Sequence, residues 1–213
     1  MRQKNQRILS DDEIDALLEA AKPEEEEVQE LEKPDRDYFL IKTTLLHGLR
    51  NSEARNLRRK HIDMDNRVVE VVDSKGGKDR KVPLPSKFAG EIKPYLRFLD
   101  EDELLFPSRK TGGKLTQRGF EWLVSRHALE AGLYPEGVEQ GELDEIPYRE
   151  RVMPHTLRHT YATRLLRNGE PMQKVSKALG HEDIEVTVNV YSHLNVEDVR
   201  EGVEDLEITG LHG

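Results

Sequence analysis

One short stretch of this chain speaks for β-structure. Val68, Val69, Val71 and Val72 form a β-branched run that reads as one strand, and Arg80–Leu84 reads as the next. Between them Ser74-Lys75-Gly76-Gly77-Lys78 supplies the glycine-containing turn of an antiparallel hairpin. The flanking sequence has helical period instead. The pattern implies an α+β domain, mainly helical, with a small antiparallel sheet.

The helical signals are distributed along the rest of the chain. Ser10-Asp11-Asp12-Glu13 reads as a capping box, and Ile14, Leu17, Leu18 and Ala21 follow at helical spacing. Pro23 and the run Glu24–Glu27 make an exposed acidic linker. Residues 36–47 form an apolar helix around Phe39, Leu40, Leu45 and Leu46, which stops at Gly48. Further helices are expected at 52–59, 86–99, 116–131, 156–168, 172–179 and 184–192. The Pro/Gly/acid-rich segment 135–150 reads as a surface loop, and Val196 to about Leu206 as a last amphipathic stretch.

The formal net charge of −9 over 213 residues speaks, at first sight, against a nucleic-acid partner. Its distribution does not. Residues 1–37 carry 6 basic and 13 acidic side chains, and residues 182–213 carry 1 and 9. Between these ends, residues 38–99 carry 14 basic and 7 acidic, and residues 151–181 carry 6 and 1. Phosphate neutralisation needs a local basic surface, not a basic chain. Such runs also occur simply as solvated faces. With no cysteine, disulfides and thiolate chemistry are excluded. There is no apolar run of membrane-span length and no signal-peptide core, so a cytoplasmic location is the expectation.

Four constellations carry chemistry, and each has a plain alternative. In His155-Thr156-Leu157-Arg158-His159, the imidazole of His155 and the cation of Arg158 share a helix face. That pair suits a phosphodiester, or is incidental surface charge. In Gly48-Leu49-Arg50-Asn51-Ser52-Glu53, Arg50 lies at a helix-to-helix corner. Glu53, three residues on, either orients a guanidinium or imidazole or makes an ordinary helix pair. The hairpin turn either projects Lys75 into a DNA groove or is merely soluble. Finally, Leu179-Gly180-His181 precedes Tyr191, whose spacing from Ile184 and Val188 also fits a core tyrosine.

Together, the four resemble the tyrosine recombinase (phage integrase) family. Its G-L-R-x-x-E segment is matched by Gly48–Glu53. Its hairpin G-K-G-x-K-x-R-x-V-P-L is matched by Ser74–Leu84 at every position but the first. Its H-x-L-R-H-T is matched at His155, Leu157, Arg158, His159 and Thr160, and its L-G-H at Leu179-Gly180-His181. Its nucleophile, a tyrosine nine or ten residues later, is Tyr191. The resemblance covers about residues 8–195 and implies the fold of a tyrosine recombinase catalytic domain. By it, the acidic segment between Gly132 and His155 is longer than usual, and an N-terminal core-binding domain is absent. It divides the chain into an N-terminal helix and linker (1–35), a catalytic core (36–195) and a tail helix (196–213).

The chemistry so implied is DNA transesterification. Tyr191 attacks phosphorus, the 5′-hydroxyl leaves, and a 3′-phosphotyrosyl enzyme forms until a second 5′-hydroxyl reverses the step. Arg50, Arg158 and His181 stabilise charge on the phosphate oxygens, Lys75 protonates the leaving oxygen, and His155 serves as acid/base near the tyrosine. Glu53 supports them. No metal or cofactor is expected, because the arginines take the metal's place. Double-stranded DNA is the implied partner, with self-association as a tetramer on DNA through the tail, in a prokaryote or its mobile elements. The alternatives are nicking and resealing of the topoisomerase IB kind, or a non-catalytic DNA-binding module derived from a recombinase.

Overall fold

The computed structural model describes residues 7–23, 35–72 and 79–180. Helix α1 (Asp11–Ala20) opens on the expected capping box. The Ser10 hydroxyl accepts from Glu13 N at 3.2 Å, and the Glu13 carboxylate accepts from Ser10 N at 2.9 Å. Helix α2 (Arg36–His47) ends at Gly48, whose φ of +58° is the left-handed conformation glycine tolerates. A Cβ at this position would also lie 2.3 Å from Tyr161 Cδ1, so the turn requires glycine for space as well.

Helix α3 (Asn51–Asn56) is shorter than the sequence pattern implies. The chain leaves it because Leu57 turns extended and is buried, and the following backbone pairs with the 101–105 segment. Leu105 N donates to Leu57 O at 2.7 Å and Arg59 N to Glu103 O at 3.0 Å. A 3₁₀ turn at Arg59–His61 follows. Here tertiary pairing outweighs local helix propensity.

The sheet has three strands, β1 (Ile62–Asp63), β2 (Val68–Val71) and β3 (Arg80–Pro83), in that order and antiparallel. Strand β1 was not expected, since two residues carry no period. Val72 lies beyond β2 and is exposed. Opposite pairs include Ile62 with Val69, Val69 with Val82, and Val71 with Arg80. Val69, Val71 and Val82 face the core. By the two-residue period of a strand, Arg80 shares the inward face with Val82. The turn that carries Lys75 lies outside the described residues.

Four further helices follow: α4 (Ser86–Leu96), α5 (Gln117–Glu130), α6 (Pro154–Arg167) and α7 (Met172–Leu179). The Thr116 hydroxyl caps α5, and a proline opens α6, where its missing N–H costs nothing. The 135–150 segment is irregular apart from a 3₁₀ turn at Gln140–Glu142. The helices expected at 184–192 and 196–206 lie outside the described residues.

Helix α2 packs along α6, while α5 contacts α1, α3 and α6. Leu17, Leu40, Ile41, Leu49, Ile92, Leu105, Phe106, Phe120 and Leu157 are the fully buried centre. Each such side chain contributes roughly 1.5–3 kcal/mol. A smaller cluster of Ala162, Val175 and Leu179, with Tyr161 and Leu165 against it, fastens α7 to α6. Helix α7 also touches β3. This packing gathers the end of α2, the start of α3, the first turns of α6 and the end of α7 beside one strand. Among the described residues no helix is long and apolar enough to cross a membrane.

Candidate active site

The site is built around the carboxylate of Glu53, whose side chain is 1% exposed. A buried carboxylate needs paired charge and hydrogen bonds. Three arginines provide them. Arg50 Nη1 donates to Glu53 Oε1 at 2.9 Å, and the Arg50 backbone N–H donates to Oε2 at 2.7 Å. Arg80 Nη1 and Nη2 donate to Oε1 and Oε2 at 2.7 and 2.9 Å. Arg158 Nη1 stands 3.9 Å from Oε2. Burial alone pushes the Glu53 carboxyl up, but the bonds from Arg80, the Arg50 amide and the charge of Arg158 outweigh it and hold the group below its ordinary value.

The same arginines converge on the end of α7. Arg80 Nε donates to Ala178 O at 2.8 Å, Arg158 Nη2 to Leu179 O at 2.8 Å, and Arg50 Nη2 to Gly180 O at 2.7 Å. Three consecutive carbonyls at a helix C-terminus therefore receive three guanidinium groups. These carbonyls lack partners within the helix and carry its partial negative charge, which favours cations there. Gly180 adopts φ +68°, and a Cβ on it would approach Arg80 Nη1 to 2.9 Å. Arg158 Nη1 also donates to Gly48 O at 2.6 Å, tying the α2 turn to the site.

Three guanidinium groups around one carboxylate leave a surplus of two positive charges. Arg80 is almost wholly enclosed, whereas the Arg50 side chain is 34% exposed. Arg80 and Glu53 thus form the frame, and Arg50 is the most open of the three cations, with Arg158 largely enclosed beside it. Preorganised donors of this kind suit the charge that builds up on a phosphoryl group in transfer.

His155 sits in the first turn of α6, three residues before Arg158 and so on the same face. The helix start is fixed by Thr156, whose hydroxyl accepts from Met153 N and donates to Arg151 O, both at 3.1 Å. Burial draws the His155 pKa down, opposed by the nearby Glu121 carboxylate. The sequence-predicted Arg50, Glu53 and Arg158 are thus brought into one cluster, with His155 one turn away on α6. Lys75, His181 and Tyr191 lie outside the described residues. Arg80 was part of the hairpin motif but was not singled out. Its signal was an arginine at an inward strand register, which demands a buried acid. Tyr161 packs against the Gly48 turn, and burial raises its phenol pKa.

The Phage integrase family matches residues 7–198. The chain belongs to this family. Among curated relatives, the tyrosine recombinase XerA of Thermococcus kodakarensis is 32% identical over 176 residues, 81% of this chain and 56% of that protein. The integrase-family chain thus spans about half the length of the curated relatives it matches. Of solved structures, XerA recombinase superposes with a TM-score of 0.71 at 25% identity, over 96% of this chain and 65% of its own. XerH recombinase bound to its difH substrate, in a pre-cleavage complex, gives 0.69 at 26% identity, over 95% and 55%. The fold is that of a tyrosine recombinase catalytic domain.

Proposed function

We propose that this chain cleaves and rejoins DNA at specific sites through a 3′-phosphotyrosyl intermediate. The observation that carries the reading is the cluster in which Arg50, Arg80 and Arg158 share the buried Glu53 and the three terminal carbonyls of α7. A fixed cationic surface of this kind binds a phosphodiester and stabilises its charge during transfer. His155 takes or gives the proton near the nucleophile, Lys75 protonates the leaving 5′ oxygen, His181 adds a donor, and Tyr191 attacks. XerH site-specific recombinase, a structural relative, is solved bound to its difH substrate, which supports a recombination site on double-stranded DNA as the partner proposed here.

The cationic face supplies the charge stabilisation, so the reaction proceeds without a metal. Self-association on DNA through residues 196–213 rests on the recurrence of Val196, Val199, Val203 and Leu206 at helical steps.

The test is a pool of nicked suicide duplexes, randomised across the cleavage site, incubated with the full chain in EDTA. A denaturing gel should show a protein–DNA adduct. Arg158→Lys should lower its yield about a hundredfold, the cost of losing one preorganised donor. The absence of an adduct in the wild type, or a need for Mg²⁺, would contradict the reading. Binding without an adduct would favour the non-catalytic alternative.

A further inference from the structure

We propose that Tyr148 is a positioning residue for His155, its phenol ring lying flat on the imidazole and fixing that ring's plane beside the arginine cluster. The inference rests on reading His155 as the acid/base group of the proposed reaction.

The two rings are parallel within 5°, with centroids 5.1 Å apart. His159 meets the imidazole edge-on, at 6.1 Å and 89°. Tyr148 therefore lies parallel and offset against one face of His155, and the ring's plane is bounded by two neighbours at right angles to each other. Offset stacking and edge contacts are the favoured geometries of such rings. Tyr148 is itself 66% exposed and belongs to the long acidic segment before α6. An exposed aromatic on a loop holds a partner in place only if the loop is fixed.

This loop is fixed on both sides of Tyr148. Glu150 N donates to Pro147 O at 2.8 Å, closing a turn around the tyrosine. Arg151 Nε donates to Ile146 O at 2.7 Å, and its Nη1 pairs with Asp144 at 3.0 Å. The next residue is anchored to the scaffold, since Val152 N donates to Tyr134 Oη and Val152 O accepts from Ser125 Oγ of α5, both at 3.0 Å. The ring is thus delivered to His155 by a braced turn.

Among the described residues, the groups that bear on the imidazole are Tyr148 from the loop, Glu121 from α5, and His159 from its own helix. Burial draws its pKa down, with Glu121 opposing. Removing the phenol ring lets the imidazole rotate and rehydrate, which favours its charged form.

The experiment uses the full chain as wild type, Tyr148→Phe and Tyr148→Ala. The His155 ring is titrated by NMR, and single-turnover adduct formation on the nicked pool is followed against pH. Phe, which keeps the stack, should match the wild type in both. Ala should raise the titration midpoint toward the ordinary histidine value. It should slow adduct formation about tenfold, part of the 10²–10⁴ that a placed acid/base group contributes, with DNA affinity unchanged. An unchanged midpoint and rate in Ala would overturn the proposal, as would a downward midpoint or a Phe variant as impaired as Ala. If the wild type itself formed no adduct, the proposed reaction would fall while the titration still judged the stacking.

Discussion

Arg80 grips Glu53 through two parallel hydrogen bonds, Nη1 to Oε1 at 2.7 Å and Nη2 to Oε2 at 2.9 Å, joining strand β3 to helix α3. Both side chains are buried, 8% and 1% exposed. Losing Arg80 strips the buried carboxylate of two charge-assisted hydrogen bonds, each worth about 1.5–3 kcal/mol, and leaves it to Arg50 and the more distant Arg158. Arg80→Met should therefore cost about 3–5 kcal/mol in denaturant unfolding. Glu53→Met combined with Arg80→Met should cost less than the two single losses added together, because the bidentate pair they share is counted in both single losses. A loss below about 1 kcal/mol for Arg80→Met would show that the pair holds nothing together.

The Gly48 turn makes a second, sterically defined prediction. Gly48→Ala introduces both a left-handed strain and a collision with Tyr161. It should destabilise the protein by about 2–4 kcal/mol. Tyr161→Leu in the same chain should recover part of that loss by vacating the space. Thermal melts of the three variants decide the point, and a Gly48→Ala protein as stable as the wild type would refute it.

His47 sets a pH dependence. It is fully buried in α2, with Nδ1 donating to Thr43 O at 2.8 Å, and burial pushes its pKa down to about 4. The unfolded chain takes up a proton near pH 6.5 that the folded chain refuses. The folded state therefore has full stability above about pH 6.5 and loses it as pH falls toward 4, by about 3 kcal/mol in all. His47→Asn keeps a donor near the Nδ1 position and removes the titration, so its stability should vary less over this window. Equal slopes of unfolding free energy against pH in both proteins would contradict the assignment.

Much of the fold was legible because its signals are local. The Ser10–Glu13 box, the stop at Gly48 and the period of α5 each declare themselves within a few residues. The early end of α3 was not legible, because it is set by pairing with the 101–105 segment far along the chain. Strand β1 was too short for any period. Arg50, Glu53 and Arg158 were readable as candidates from type and spacing. Their convergence on the end of α7 was not, since that depends on backbone carbonyls, which no side-chain pattern encodes. The buried Asp37, paired with Arg36 and held by His127 from α5, likewise escaped notice inside an apolar-looking helix.

The measurement that bears most directly on the central claim is the mapping of the covalent bond. After reaction with the nicked pool, the adduct is digested with trypsin and nuclease, and the nucleotide-bearing peptide is sequenced by mass spectrometry. The account predicts that the modification lies on Tyr191, and that Tyr191→Phe abolishes the adduct while DNA affinity stays within about threefold, since one hydroxyl adds little to a binding energy dominated by phosphate contacts. A nucleotide on Tyr161 or any other residue, or a normal adduct yield from Tyr191→Phe, would contradict it.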